Sequence, residues 1–196
     1  MTMAATQPIR DKNDIRALAS YYLDRGQLRN YVLIVLGIHT ALRVGDLLGL
    51  KWDDVYDFGK GRVLKTVDVV EAKTGKSKTI ALNKSAVSAL TLFAAQAAQP
   101  GHFIIENTAT GNAITRVQVY RIIRAAAESL QLEGRVSCHS LRKTFGYHAW
   151  KAGVSPVVIM EIYNHSSLDV TRRYLGVTQD DKNSAYLCLD LLDPAV

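Results

Sequence analysis

The sequence predicts a mainly α-helical α+β domain with one small antiparallel β-sheet. Three observations carry this. Apolar residues recur at helical spacing through most of the 196 residues, while strict alternation is confined to one stretch between about 63 and 82. The chain is 48% hydrophobic with only 4 Pro, which favours a packed core over disorder. A chain of this size buries roughly 70% of its unfolded surface, enough for a single domain.

The elements follow in order. Residues 1–10 read as a flexible arm, and Asp11 or Asp14 caps a helix that Gly26 ends. Residues 28–42, LRNYVLIVLGIHTAL, are apolar almost all round and predict a central buried helix. A short helix over Arg43–Leu50 comes next. Val63, Lys65, Val67 and Val69 then alternate with polar or small residues, and Lys78–Leu82 does the same, with Lys73–Lys76 as the turn of a β-hairpin. An alanine-rich helix is expected over 84–98, a short strand over Phe103–Glu106, and a helix from a Thr115 cap to about Leu132. Further helices run from about Ser140 to Lys151, from Ser155 or Pro156 to Tyr163, and from about Gln179 to Leu192. Asn164 suits a left-handed stop after Tyr163. No internal repeat or low-complexity tract interrupts the chain.

Charge and cysteines narrow the function. Lys and Arg number 24 against 18 Asp and Glu, a net charge of +6 and a pI near 9.3. That favours a polyanionic partner, although many small basic enzymes bind no nucleic acid. Cys138 and Cys188 fit no disulfide framework or zinc pattern and read as buried free thiols. No His-Glu-x-x-His, Cys-x-x-Cys, Gly-x-Ser-x-Gly or phosphate-cradling Gly loop occurs, so neither a metal site nor a cofactor is expected. The N-terminal MTMAATQPIRDKN is polar, and the longest apolar run, Tyr31–Ile38, is too short to span a bilayer. A cytoplasmic protein with no membrane partner is the expectation.

The chemistry concentrates between Cys138 and Tyr174. His139 and Arg142 stand three apart on a helix, which places their Cβ atoms roughly 5–6 Å apart on one face. His165 follows the next helix, and Tyr174 ends a Thr-Arg-Arg run. Cations to hold non-bridging oxygens, imidazoles to handle protons and a phenol nucleophile suit phosphate chemistry. Any one of these residues alone is ordinarily a surface or packing group; the ordered set is what carries weight.

That ordered set, His-x-x-Arg…His…Tyr, resembles the signature of the tyrosine recombinases, the phage-integrase family. The resemblance asks for an earlier Arg in a segment like Thr-x-x-Arg-x-x-Glu/Asp-Leu, which Thr40–Leu47 supplies with Arg43, and Asp46 is then expected to orient that Arg. It asks as well for a Lys on a hairpin turn, met by Lys73, with Lys76 and Lys78 close by. Two departures are Tyr163-Asn164 before the second His and Lys143 after Arg142. The resemblance covers most of the chain and implies a catalytic domain over 1–196 without an N-terminal core-binding domain.

What the resemblance implies chemically is site-specific DNA cleavage and rejoining. Tyr174 attacks a phosphate to give a 3′-phosphotyrosine. Arg43 and Arg142 clamp the non-bridging oxygens. Lys73 protonates the leaving 5′-oxygen, His139 takes the phenol proton and His165 hydrogen-bonds the phosphate. Transesterification conserves bond energy, so no ATP is called for. The implied partners are double-stranded DNA, further copies of the chain (a tetramer on DNA) and an accessory DNA-bending protein. A chain without a clamp domain is expected to bind weakly and with strong salt dependence unless it oligomerises. Residues 179–196 carry Tyr186, Leu187, Leu189, Leu191 and Leu192 and either dock on a neighbouring subunit or pack on their own domain. Two other readings stay open: a DNA-binding regulator that keeps the pocket, and a topoisomerase IB-like nick-and-seal enzyme.

Overall fold

The structure is a computed structural model that describes residues 6–188. Its centre is the helix α2 (Leu28–His39), with Val32 through Ile38 all buried. Each fully buried Leu or Ile here contributes about 1.5–3 kcal/mol. Around it pack α1 (Lys12–Leu23), α5 (Lys84–Ala97) and α7 (Cys138–Lys151). Gly37 allows the close approach of α7, since a Cβ there would stand 2.7 Å from Leu141 Cδ1. Asp11 caps α1 by accepting from Asn13 N at 2.7 Å. Gly26, at φ +65°, turns the chain into α2. The helix α6 (Arg116–Ser129) starts with a capping box between Thr115 and Gln118, and its Ile122 carbonyl accepts from the Tyr22 hydroxyl at 2.5 Å.

After α2 come two short helices, α3 (Val44–Leu48) and α4 (Trp52–Val55), and then the β-structure. The expected hairpin forms from β3 (Thr66–Val70) and β4 (Ser77–Ala81), antiparallel, with Val67 paired to Ile80 and Val69 to Lys78. Val67 and Val69 point into the core while their neighbours face out. Two smaller ribbons were not expected: β1 (Tyr56–Asp57) with β2 (Arg62–Val63), and β5 (Glu106–Asn107) with β6 (Asn112–Ala113). In place of one sheet there are thus, among the described residues, three separate two-stranded ribbons. The strand expected over 103–106 reduces to a bridge between Lys51 and Phe103, followed by β5.

The chain then builds a second, smaller core. The helices α8 (Pro156–Tyr163) and α9 (Leu168–Leu175) pack on each other and on α7, enclosing Ala41, Ile159, Tyr163 and Leu175. Asn164 sits at φ 51°, the left-handed stop that its position suggested. The α9 helix was not anticipated from the sequence; Gly176 at φ 62° ends it. The last helix among the described residues, α10, spans Gln179–Leu187, and the expected continuation through Leu189, Leu191 and Leu192 lies outside them.

Two further expectations need correction. The supposed arm is a strap from Thr6 onward: Ile9 is buried, its N–H donates to Thr144 Oγ1 at 2.9 Å, and its carbonyl meets His148 Nε2 at 3.0 Å. Apolar Pro8 and Ile9 gain more by covering α7 than by staying in water. Cys188 is exposed, not buried, because α10 presents its last turn to solvent; Cys138 is half-buried at the start of α7. Among the described residues no helix is long and apolar enough to cross a membrane, and no group of three or more His, Cys, Asp and Glu is placed to hold a metal ion.

Candidate active site

The site lies on the seam between the two cores. Where α2 ends, Ala41 takes φ 55°, a left-handed conformation that costs an L-residue about 1–2 kcal/mol. The kink aims the Ala41 carbonyl at Arg142 Nη1, from which it accepts a hydrogen bond, and delivers Arg43 to the N-cap of α3. Arg142 comes from the inner face of α7 and is only 2% exposed. Its Nη2 donates to the Tyr163 carbonyl at 2.9 Å, while its Nε has no hydrogen-bond partner among the described residues. Arg43 Nη2 reaches the same carbonyl at 3.4 Å. One helix C-terminus, that of α8, therefore gathers both guanidiniums through a carbonyl that the helix leaves unpaired.

The hairpin supplies the counter-charge. Glu71, fully buried, meets Arg43 Nη1 at 2.6 Å and Lys78 Nζ at 3.1 Å. Lys78 Nζ also donates to the Ile162 carbonyl at 3.3 Å, so it joins the same helix end. Burial alone would raise the Glu71 carboxyl, but the Asn164 amide, Arg43 and Lys78 outweigh it and hold it at about 2. Burial lowers the Lys78 ammonium, with Arg142 and Arg43 pushing the same way against Glu71.

Around Tyr174 the rings cluster. His165 lies 4.7 Å from it centroid to centroid, Tyr163 5.2 Å and His139 6.2 Å. The Arg142 guanidinium stands 6.0 Å from the Tyr174 ring and 4.4 Å from that of Tyr163. The Lys143 ammonium is 5.7 Å from the Tyr174 ring and donates to the Thr6 carbonyl at 2.6 Å. Both imidazoles are pushed toward the neutral form. Burial, then Arg142 and Arg43, bring His165 down to about 4. Burial, then Lys143, Arg142 and Arg43, lower His139. His165 Nδ1 lies 3.0 Å from Thr171 Oγ1, one turn before the tyrosine.

Of the six residues the sequence singled out, five converge: Arg43, His139, Arg142, His165 and Tyr174. Lys73 does not join them; it is exposed on the 71–76 turn, and Lys78 occupies the cluster instead. Asp46 also departs from expectation. Its Oδ1 accepts from Ala72 N at 2.9 Å, pinning the hairpin turn, and the ion pair of Arg43 is with Glu71. Sequence reasoning missed Glu71, Tyr163 and Thr171, and it placed Lys78 behind Lys73 as the hairpin lysine. Lys78 was detectable: it shares its strand face with Ile80, the inward one. Such a set can hold a phosphodiester by its oxygens, present a phenol to phosphorus and manage two protons.

The fold matches that of solved tyrosine recombinase catalytic domains. The crystal structure of XerA recombinase superposes with a TM-score of 0.76 over 94% of this chain and 66% of that one, at 20% identity. The post-cleavage complex of XerH site-specific recombinase with a palindromic difH substrate gives 0.75 over 94% of this chain and 53% of that one, at 17% identity. In sequence, the pattern of the Phage integrase family matches residues 10–180. The chain belongs to the phage integrase family. It is 34% identical to the probable integrase/recombinase YoeC of Bacillus subtilis over 184 residues, 94% of this chain and 97% of the relative. It is 29% identical to tyrosine recombinase XerC of Halalkalibacterium halodurans, over 82% of this chain and 54% of the relative. The chain spans about half the length of such XerC and XerD relatives.

Proposed function

We propose that this chain is a tyrosine-type site-specific recombinase that cleaves and rejoins double-stranded DNA through Tyr174. The observation that carries the reading is the Tyr174 ring, set within 4.7 to 6.2 Å of two imidazole centroids and a guanidinium. The Tyr174 oxygen bonds to phosphorus as the bond from phosphorus to the 5′-oxygen breaks, leaving a 3′-phosphotyrosine and a 5′-hydroxyl. His139 takes the phenol proton; its lowered pKa keeps it free to accept one. Arg43 and Arg142 hold the non-bridging oxygens, and His165 donates a hydrogen bond to one of them. Such fixed charge aimed at the developing oxyanion is commonly the largest catalytic contribution. Rejoining reverses each step.

The leaving 5′-oxygen receives its proton from Lys73 when the hairpin turn closes on DNA. Lys78 is the second candidate for that role, favoured by its place among Arg43, Arg142 and Glu71. Assembly as a tetramer on DNA, with an accessory DNA-bending protein, completes the reading. Tyr186 and Leu187, 81% and 82% exposed on α10, support docking of this helix on a neighbouring copy. Truncation after Gln179 should then abolish DNA-dependent assembly; a truncated chain that still assembles and cleaves removes the docking.

The test is covalent trapping. Wild type and Tyr174→Phe are incubated with nicked duplexes drawn from around the gene and resolved in SDS. A protein–DNA adduct with wild type alone, mapped to Tyr174, is expected. Clear binding in a shift assay without an adduct would favour a DNA-binding regulator, and supercoil relaxation without a partner site would favour nick-and-seal chemistry.

A further inference from the structure

Beside the nucleophile lies a second basic feature that the chemistry above leaves unused. Arg10 of the strap, Arg172 and Arg173 of α9 and Lys182 of α10 line a cavity of about 530 Å³ around Gly176. Among the described residues no carboxylate lines it. Arg10 Nη2 donates to the Gly176 carbonyl at 3.2 Å, fastening the strap to the residue that ends α9. Asp169 lies 3.9 Å from Arg172, with both side chains largely exposed, a geometry that neutralises little. Asp181, on α10 beside Lys182, is already bonded to Lys151 and to Thr178. Four like charges converging with so little counter-charge repel one another, which a polyanion would relieve.

The position of the cavity matters as much as its charge. Arg172 and Arg173 immediately precede Tyr174, and successive helical residues point about 100° apart. The Tyr174 ring faces the aromatic cluster while the arginines turn toward the strap. One helix end thus carries the phenol on one flank and a cationic cavity on the other.

We propose that this cavity binds a second backbone phosphate of the cleaved DNA strand, one near the scissile phosphate, and so sets where that strand lies against Tyr174. The inference rests on the reading that Tyr174 acts on DNA. A guanidinium pair matches phosphate oxygens as a fork, and an interaction of this kind carries no base information, so it positions without specifying.

The test combines charge removal on both sides. Nicked duplexes are prepared with one neutral methylphosphonate at each position around the nick, and wild type is compared with an R172Q/R173Q/K182Q triple variant. All three side chains are at the surface, and an R172K/R173K variant separates loss of charge from loss of shape. Wild type should lose about tenfold in affinity at one position other than the scissile phosphate, and the triple variant should be indifferent there. The slope of log K against log salt should fall by about one for each phosphate that the variant no longer neutralises. An unchanged slope in the triple variant, or no position whose neutralisation depends on the arginines, overturns the proposal. Adduct formation by wild type together with an unchanged slope sinks the cavity alone. An arginine-dependent position without any adduct leaves the phosphate site standing and sinks the cleavage chemistry.

Discussion

Arg43 and Glu71 meet at 2.6 Å, with the carboxylate sealed from solvent and the guanidinium still partly open to it. The cation proposed to hold a phosphate is therefore parked on a buried anion, and Lys78 shares that anion from the other side. Glu71→Gln removes the charge that keeps Arg43 and Lys78 together. Stability should fall by about 1–3 kcal/mol in urea unfolding. The acid limb gives a second readout. The folded carboxyl titrates at about 2 against an ordinary 4.5, so its contribution is complete above 4.5 and is lost as pH falls toward 2. In Glu71→Gln that part of the pH dependence should flatten; an unaltered acid limb would mean that Glu71 is not the anion that matters.

Legibility in the sequence followed periodicity. The central helix was plain because LRNYVLIVLGIHTAL is apolar on every face, and the hairpin was plain because Val67 and Val69 alternate with exposed neighbours. The five converging residues were readable as an ordered set, since their spacing survives whatever lies between. Glu71 was not, because a single carboxylate after Val69-Val70 says nothing of the two cations that will surround it. The α9 helix escaped because its buried residues, Thr171 and Leu175, are too few for a periodic signal. The two-residue ribbons are shorter than any alternation can announce.

Lys73 and Lys78 can be told apart by the leaving group. A substrate whose bridging 5′-oxygen is replaced by sulfur expels a thiolate and needs no proton. Lys73→Ala should cleave ordinary DNA about 10² to 10⁴ times more slowly and recover on the sulfur substrate. Lys78→Ala should be slow on both, since it loosens Glu71 and the Ile162 carbonyl and leaves proton delivery alone. Recovery by Lys78→Ala in place of Lys73→Ala would transfer the general-acid role to Lys78.

His165 makes folding sensitive to mild acid. Its folded value of about 4 lies below the ordinary 6.5, so the unfolded chain takes up the proton first as pH falls. Stability on this account is full above 6.5, declines as pH drops toward 4, and loses nothing more from this group below that. His165→Gln should remove part of that decline, leaving the share that belongs to His139, which is lowered in the same direction. Denaturation midpoints between about pH 7 and 4 measure it. Equal slopes in wild type and variant would place the acid sensitivity elsewhere.

Thr171 fixes the same imidazole from below. Its hydroxyl, 3.0 Å from His165 Nδ1, leaves Nε2 as the other nitrogen, and a proton is needed there if His165 is to donate to phosphate. Thr171→Val keeps the shape and the burial but removes the hydroxyl. Adduct formation should slow by about ten- to a hundredfold with DNA affinity nearly unchanged. A fall in affinity equal to the fall in rate would make Thr171 a folding residue only.

A close approach within the site is held open by a glycine. Gly146 lies on α7, one turn beyond Arg142, and a Cβ there would collide with the Tyr163 hydroxyl and come within 3.0 to 3.1 Å of its ring carbons. That hydroxyl donates to the Arg142 carbonyl at 2.6 Å, and the Tyr163 carbonyl in turn accepts from Arg142 Nη2, so one residue grips Arg142 at both ends. Gly146→Ala has to push aside a ring that is fully buried. Overpacking of this kind costs about 1–3 kcal/mol. Because Arg142 moves with Tyr163, catalysis should suffer beyond the loss of stability: adduct yield at a temperature where the variant is fully folded should fall well below wild type. Tyr163→Phe separates the two effects, since it deletes the hydroxyl that the new methyl would strike. If Gly146→Ala combined with Tyr163→Phe recovers stability without recovering cleavage, the hydrogen bond to Arg142 is what positions the guanidinium; if it recovers both, the clash alone was responsible.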